Sequence, residues 1–263
     1  VFKYLKVRIK LHSFKAIYFK NILRYSLWVF LFSLVYQFQW RSGQMILGVN
    51  FNTTVVAIYG VGVMLGIYFT TFGNVINGLI LPKAVQSICL DLTNLELTNQ
   101  LVKVGRISLI ILFYVFGAFL LFGQEFIFLW VGDTYKESWL VAILIMGVYI
   151  IPIGNGYASA ILEAKKLLKF NALVFLVSSL VGMILGSLFA IKMGVYGMIY
   201  GLATAIGISQ IIMLYYYHTK IGLNMIQFFK SAIWPLIIPF GIVLVICYFF
   251  EGLFEYNWMT FIL

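Results

Sequence analysis

Long apolar runs separated by short polar connections dominate the chain. Seven such runs occupy residues 25–47, 55–81, 107–122, 139–162, 170–191, 195–217 and 232–250, and an eighth begins near Tyr256. A helix that crosses a bilayer needs about 20 mostly apolar residues, because about 30 Å of hydrocarbon is covered at 1.5 Å per residue. The runs are continuous and do not alternate, which argues for helices that satisfy their own backbone hydrogen bonds and against the short two-residue rhythm of a membrane barrel. The pattern predicts an all-α fold, a polytopic transmembrane helix bundle of about seven to eight spans.

The first 24 residues break the pattern. Phe2, Leu5, Ile9 and Leu11 alternate with Lys3, Lys6, Arg8 and Lys10, and Phe14, Ile17, Tyr18 and Ile22 follow among Lys15, Lys20 and Arg24. This reads as a basic amphipathic linker lying on the cytoplasmic leaflet, held by anionic lipid; a disordered basic linker is the alternative. Basic residues also set the orientation. One set of helix ends carries the seven cations of 1–24, then Lys83, Lys103, Arg106, Lys165, Lys166, Lys169, Lys220 and Lys230. The opposite ends carry only Lys136 and Lys192. Fifteen against two assigns the basic side to the cytoplasm.

Composition agrees with lipid as the main solvent. Of 263 residues, 63% are hydrophobic and 10% charged, and the mean hydropathy is +1.03, against about 45–50% apolar and 25% charged in an ordinary globular chain. The net charge of +10 therefore reads as membrane topology, and no nucleic-acid partner is expected. Cys89 and Cys247 read as small apolar side chains. The chain opens on Val1 and closes within an apolar run, so a piece of a longer protein is expected. The stretch 123–138, itself half apolar, predicts a short helix in the outer interface with Trp130 at headgroup level.

Candidate chemistry lies in polar residues inside the spans. In the first, Ser33, Gln37, Arg41, Gln44 and Gly48 recur at three- and four-residue steps and share a face. A central arginine costs about 2.5–3.5 kcal/mol even on the lenient insertion scale. Either a hydrated cavity receives it, or it snorkels to the outer interface. The second span repeats the pattern with Gly62, Gly66, Thr70, Asn74 and Asn77, lining a pathway or bonding neighbouring helices. Pro152, Gly154 and Gly156 predict a kink or break in the fourth span, with Asn155 satisfying the freed backbone groups. Gly62–Gly66, Gly182–Gly186 and Gly197–Gly201 allow close helix approach. No phosphate loop is present, since Val49 and Asn50 follow Gly43 and Gly48 where Lys and Ser/Thr belong. His12 and His218 stand alone, and no metal site, catalytic residue set or cofactor is expected.

The order of several short motifs carries a resemblance. They are Tyr25-Ser26-Leu27-Trp28 after the basic segment, Gly48, Tyr59-Gly60-Val61-Gly62, Leu81-Pro82-Lys83, and Phe122-Gly123-Gln124-Glu125-Phe126. Then come Leu129-Trp130-Val131-Gly132-Asp133-Thr134-Tyr135, Asn155-Gly156, Ile161-Leu162-Glu163-Ala164-Lys165-Lys166 and Gly194-Val195-Tyr196-Gly197-Met198. In this order the chain resembles the second half of Wzx-type polysaccharide flippases, of the multidrug/oligosaccharidyl-lipid/polysaccharide exporter superfamily. The resemblance implies a transporter of two six-helix lobes about a central cavity. Residues 25–217 would form the second lobe and residues 218–263 additional helices, the front lobe being supplied by the rest of the protein.

It further implies a bacterial cytoplasmic (inner) membrane location and, as substrate, undecaprenyl-pyrophosphate-linked oligosaccharide units for O-antigen, capsule or exopolysaccharide. Coupling to a proton or sodium gradient is left open, and a polysaccharide polymerase and a chain-length regulator are the implied protein partners. On this reading Arg41 meets phosphate, Gln37, Gln44, Asn74 and Asn77 meet hydroxyls, and Arg24 and Lys83 stand at the cytoplasmic mouth. Pro152, Gly154, Asn155 and Gly156 would form the gating kink. The rival readings are a lipid II or multidrug exporter of the same architecture and, from another class, a membrane polysaccharide polymerase or ligase. The first rival for organic cations wants an acid inside a span, and the second a larger outward loop than about 15 residues.

Overall fold

The computed structural model describes the backbone of residues 16–251, and side chains from residue 22 onward except at 24, 25, 28, 29, 31, 32, 250 and 251. Among the described residues 92% are helical and none forms a strand. Helices α1 (Ala16–Asn50), α2 (Thr53–Cys89) and α3 (Asn94–Val131) are followed by α4 (Ser138–Gly154) and α5 (Gly156–Ala164). Then come α6 (Leu168–Met193), α7 (Val195–Tyr216), the single turn α8 (Met225–Phe228) and α9 (Trp234–Glu251). A π-helical turn extends α7 to Ile221, and another joins α8 to α9.

Among the described residues, five helical stretches are long and apolar enough to cross a membrane: Thr53–Cys89, Asn94–Val131, Leu168–Met193, Val195–Ile221 and Met225–Phe249. The pair α4 and α5, bent by 52° at the intervening residue, makes a sixth. The fold is thus an all-α polytopic bundle. The expected first span lies in α1, which is long enough but carries Gln37, Gln39, Arg41 and Gln44 along its apolar run. That helix begins by Ala16 and passes without interruption through residue 24. The basic residues before it and the apolar run near Tyr256 lie outside the described residues.

The first three helices outrun the expected spans. With 35, 37 and 38 residues they reach about 52–57 Å at 1.5 Å per residue. Helix α2 continues past Pro82 to Cys89, where a loop was expected. Helix α3 runs on through Gln124–Val131, so the expected separate interfacial helix is its last two turns. Nothing in that segment stops it before Gly132, whose φ of 97° ends the helix and leads into a 3-10 turn. Polar caps start three of the described helices: Asn52 accepts from the Val55 amide, Thr93 and Glu96 cap each other's backbone groups, and Asn224 accepts from the Gln227 amide.

Close packing comes from small residues. A side chain at Gly62, Gly66 or Gly73 of α2 would run into Val141, Ile145 or Ile153 of α4. Between α6 and α7, Gly197 lies on the Phe189 backbone and Gly201 on that of Gly186. These are the close approaches that the glycine spacings predict. At the basic end, Arg106 donates to the Ser231 carbonyl at 2.7 Å and the Asn224 amide to Thr98 Oγ1 at 3.1 Å. They tie the start of α3 to the α7–α9 connection. At the other end, Ser138 Oγ donates to the Ile58 carbonyl at 2.7 Å, and Lys136 pairs with Asp133.

Candidate functional site: a polar cavity at a broken helix

A cavity of about 410 Å³ opens between α1, α2 and α4–α7. It lies in the half of the bundle nearer the basic helix ends, since it takes the later part of α2 and the early part of α6. Its polar lining comprises Thr70, Asn74 and Asn77 from α2, Asn155 at the break, Ser159 and Glu163 from α5, Asn171 from α6 and Gln210 from α7. Aromatic side chains of Tyr36, Tyr149, Phe175 and Tyr217 form much of the rest.

Local sequence explains how the space arises. Helix α4 packs dry along the glycine stripe of α2 as far as Ile153, which sits over Gly73. Pro152 has no amide to continue the ladder, and after Asn155 the chain turns by 52°. The turn carries α5 off the line of α4, and Thr70, Asn74 and Asn77, one helical face at i, i+4 and i+7, open on the space beyond. The expected polar stripe of α2 thus divides in two. Its glycines make a helix contact, and its amides line the cavity.

Asn155 does not act as expected. Its backbone bridges the break, the amide donating to the Ile151 carbonyl at 2.9 Å and the carbonyl accepting from Ala158 at 2.8 Å. Its side chain caps nothing: it is 2% exposed, and Nδ2 has no hydrogen-bond partner. Asn77 Oδ1 and Tyr149 Oη are likewise buried and unpartnered. Gly156 is glycine because the Asn77 amide occupies the place of a Cβ. Gly154 instead packs against Leu109 of α3 and does not line the cavity.

The predicted residues of α1 are placed elsewhere. Arg41 and Gln37 are exposed, and Gln44 is half-buried beside Gly60. None of the three lines the cavity. The inward amide of α1 is Gln39, 3% exposed, whose Oε1 accepts from Ser179 Oγ at 3.4 Å. Lys83 is exposed on α2, and the Arg24 side chain is outside the described residues. The lining itself has one charged residue, Glu163, and no Lys or Arg. Ser159, Glu163, Asn171, Gln210 and the four aromatics were not singled out by sequence. Asn171 and Gln210 left a signal, each an uncharged polar residue inside an apolar run.

The fold and this site define a multi-pass membrane protein of the helical class with a polar cavity inside the bundle. A family model described as polysaccharide biosynthesis protein matches residues 1–140, more than half of the chain. The chain belongs to that family, and polysaccharide biosynthesis is its setting. No curated protein and no solved structure matches the chain.

Proposed function

We propose that the chain forms one lobe of a flippase that carries polyprenyl-pyrophosphate-linked oligosaccharide units across the bacterial cytoplasmic membrane. The polymers served would be O-antigen, capsule or exopolysaccharide. The observation that carries this reading is the polar cavity at the broken helix. A sugar headgroup cannot enter hydrocarbon alone, because each unpaired hydroxyl costs several kcal/mol and charge far more. A wall of amides and tyrosines offers replacements for the lost water while the prenyl tail stays in lipid. Arg41 and Gln37, on the exposed face of α1, would face a second lobe across a hydrated cleft, where the guanidinium pairs with phosphate. Rocking of the lobes would give alternating access. A negative-inside potential would favour outward movement of the anion by about 2.3 kcal/mol per charge per 100 mV.

The test is complementation: the complete protein, expressed in a strain lacking its own repeat-unit flippase, should restore surface polymer. Failure to do so, with the protein present in the membrane, overturns the reading. A cation exporter of the same superfamily is the second reading, favoured by the carboxylate of Glu163 in the cavity wall. It predicts resistance to organic cations that Glu163→Gln abolishes.

A further inference from the structure

A second space, a groove of about 310 Å³, lies between α6 and α7 on another side of that helix pair. Phe170, Val174, Val177 and Val181 line it at i, i+4, i+7 and i+11 of α6, with Ile208 and Ile212 of α7 opposite. Asn171 and Phe175, which line the polar cavity, lie about a third of a turn further around α6. Helix α1 meets α6 on that cavity side, where Tyr36 stacks on Phe175 with ring centroids 6.5 Å apart and Ser179 donates to Gln39. The groove therefore opens away from α1, and its Val177, Val181, Ile208 and Ile212 are exposed.

Its wall, its length and its end together describe one kind of content. The wall makes no polar demand: Ser178 and Ser209 are its two hydroxyls, and they donate to carbonyls of their own helices, Phe175 at 2.9 Å and Ile206 at 2.7 Å. Water or a sugar would give up hydrogen bonds to enter, and a hydrocarbon chain gives up none. From Phe170 to Val181 the groove covers about 16 Å at 1.5 Å per residue, the depth of one leaflet, half of about 30 Å. Its beginning is basic. Phe170 there stacks on Tyr216 of α7, with centroids 4.2 Å apart, and the turn just before it carries exposed Lys165, Lys166 and Lys169. The first turn of α6 has neither an acidic residue nor a side-chain cap, so its amides add to the positive end. Glu163, exposed two residues before Lys165, is one negative charge against three positive.

We propose that this groove is a binding site for one anionic phospholipid of the leaflet at the basic helix ends. An acyl chain lies along α6 and α7, and the phosphate meets Lys165, Lys166 and Lys169. A single-leaflet groove matches an acyl chain, whereas an undecaprenyl tail far outruns it. The site thus goes beyond the transport reading: it holds a lipid that stays, on a face apart from the polar cavity.

Native mass spectrometry of the complete protein, released from nanodiscs of equal parts phosphatidylglycerol and phosphatidylcholine, tests it. One phosphatidylglycerol should be retained in preference to phosphatidylcholine. Lys165→Gln and Lys169→Gln, both at exposed positions, should each weaken phosphatidylglycerol about fivefold, the equivalent of about 1 kcal/mol per lysine near a membrane surface, and leave phosphatidylcholine unchanged. Val177→Trp, also at an exposed position, should fill the groove and abolish retention, while Ile110→Trp, exposed on α3, should not. Equal retention of the two lipids overturns the proposal, as does a phosphatidylglycerol that survives Val177→Trp. Displacement by undecaprenyl phosphate would make the occupant the transported lipid's tail, and a lipid-free dimer would make it a second copy of the chain. Either result also overturns it. None of these outcomes depends on restored polymer, so complementation judges the transport reading separately.

Discussion

An alanine at Gly201 would press its Cβ into the backbone of Gly186 and to 2.7 Å from the Leu185 carbonyl carbon. Backbone cannot rotate aside, so α6 and α7 must separate. Gly207, six residues further along the same helix, has nothing within 4 Å of the corresponding point. Gly186 is intermediate: its Cβ would stand 2.9 Å from Met198 Sδ and Cε, the flexible end of a side chain. All three alanines gain the same helix preference over glycine, about 1 kcal/mol. Differences among them therefore isolate the steric term, which for overpacking is about 1–3 kcal/mol. Gly207→Ala should be neutral or stabilising, Gly186→Ala slightly destabilising, and Gly201→Ala less stable than Gly207→Ala by about 1–3 kcal/mol. At about 2–4 °C per kcal/mol for a chain of this size, the extremes differ by roughly 2–12 °C. Thermal unfolding of the three variants in one detergent, followed by loss of the monodisperse peak, reads the order. Equal midpoints for Gly201→Ala and Gly207→Ala would refute the close α6–α7 contact.

Three further outcomes are expected. Ser138→Ala removes the donor to the Ile58 carbonyl and should lower stability by about 0.6–1.7 kcal/mol, the range of interhelical bonds in membranes, in the same unfolding assay. Gly156→Ala pushes the Asn77 amide out of its place. Because the obstacle is a movable side chain, stability should change by no more than about 1 kcal/mol, while restored polymer in the complementation assay falls several-fold. Arg41→Ala should reduce that polymer and Arg41→Glu reduce it further, since the reversed charge repels phosphate. Full polymer with both would make Arg41 a snorkelling side chain.

The spans were legible because length and apolarity are local properties, and nothing else needs a run such as 170–191. Helix ends were less so. Gln124 and Glu125 looked like the break before a separate interfacial helix, yet two polar residues do not stop a helix, and α3 continues until Gly132 takes a conformation that other residues avoid. Faces within a helix were legible too: Ser33, Gln37, Arg41 and Gln44 do share one. Which face turns inward was not, because periodicity ranks positions relative to one another and says nothing of the neighbour. Gln39 lies two residues, about 200° around the helix, from Gln37. It is Gln39 that the bundle buries.

The cavity was half legible for a related reason. Asn74 and Asn77 announced themselves as amides in a span, and Pro152 to Gly156 announced the break, but as two separate features. Their meeting is the work of the bundle, which brings Ser159, Asn171 and Gln210 from three further elements to the same place. The coincidence has a physical ground. A helix can lose its regularity at membrane depth only where something other than lipid receives the freed groups, and uncharged polar side chains need the same shelter. A break facing lipid would leave Asn155 Nδ2 in hydrocarbon. Placed beside the amides of α2, where the Asn77 side chain lies over Gly156, the same break supplies the space and the amides together, so the polar cavity and the bend at residue 155 should be lost together. A straightened connection that fills the cavity would also remove the reason for Gly156.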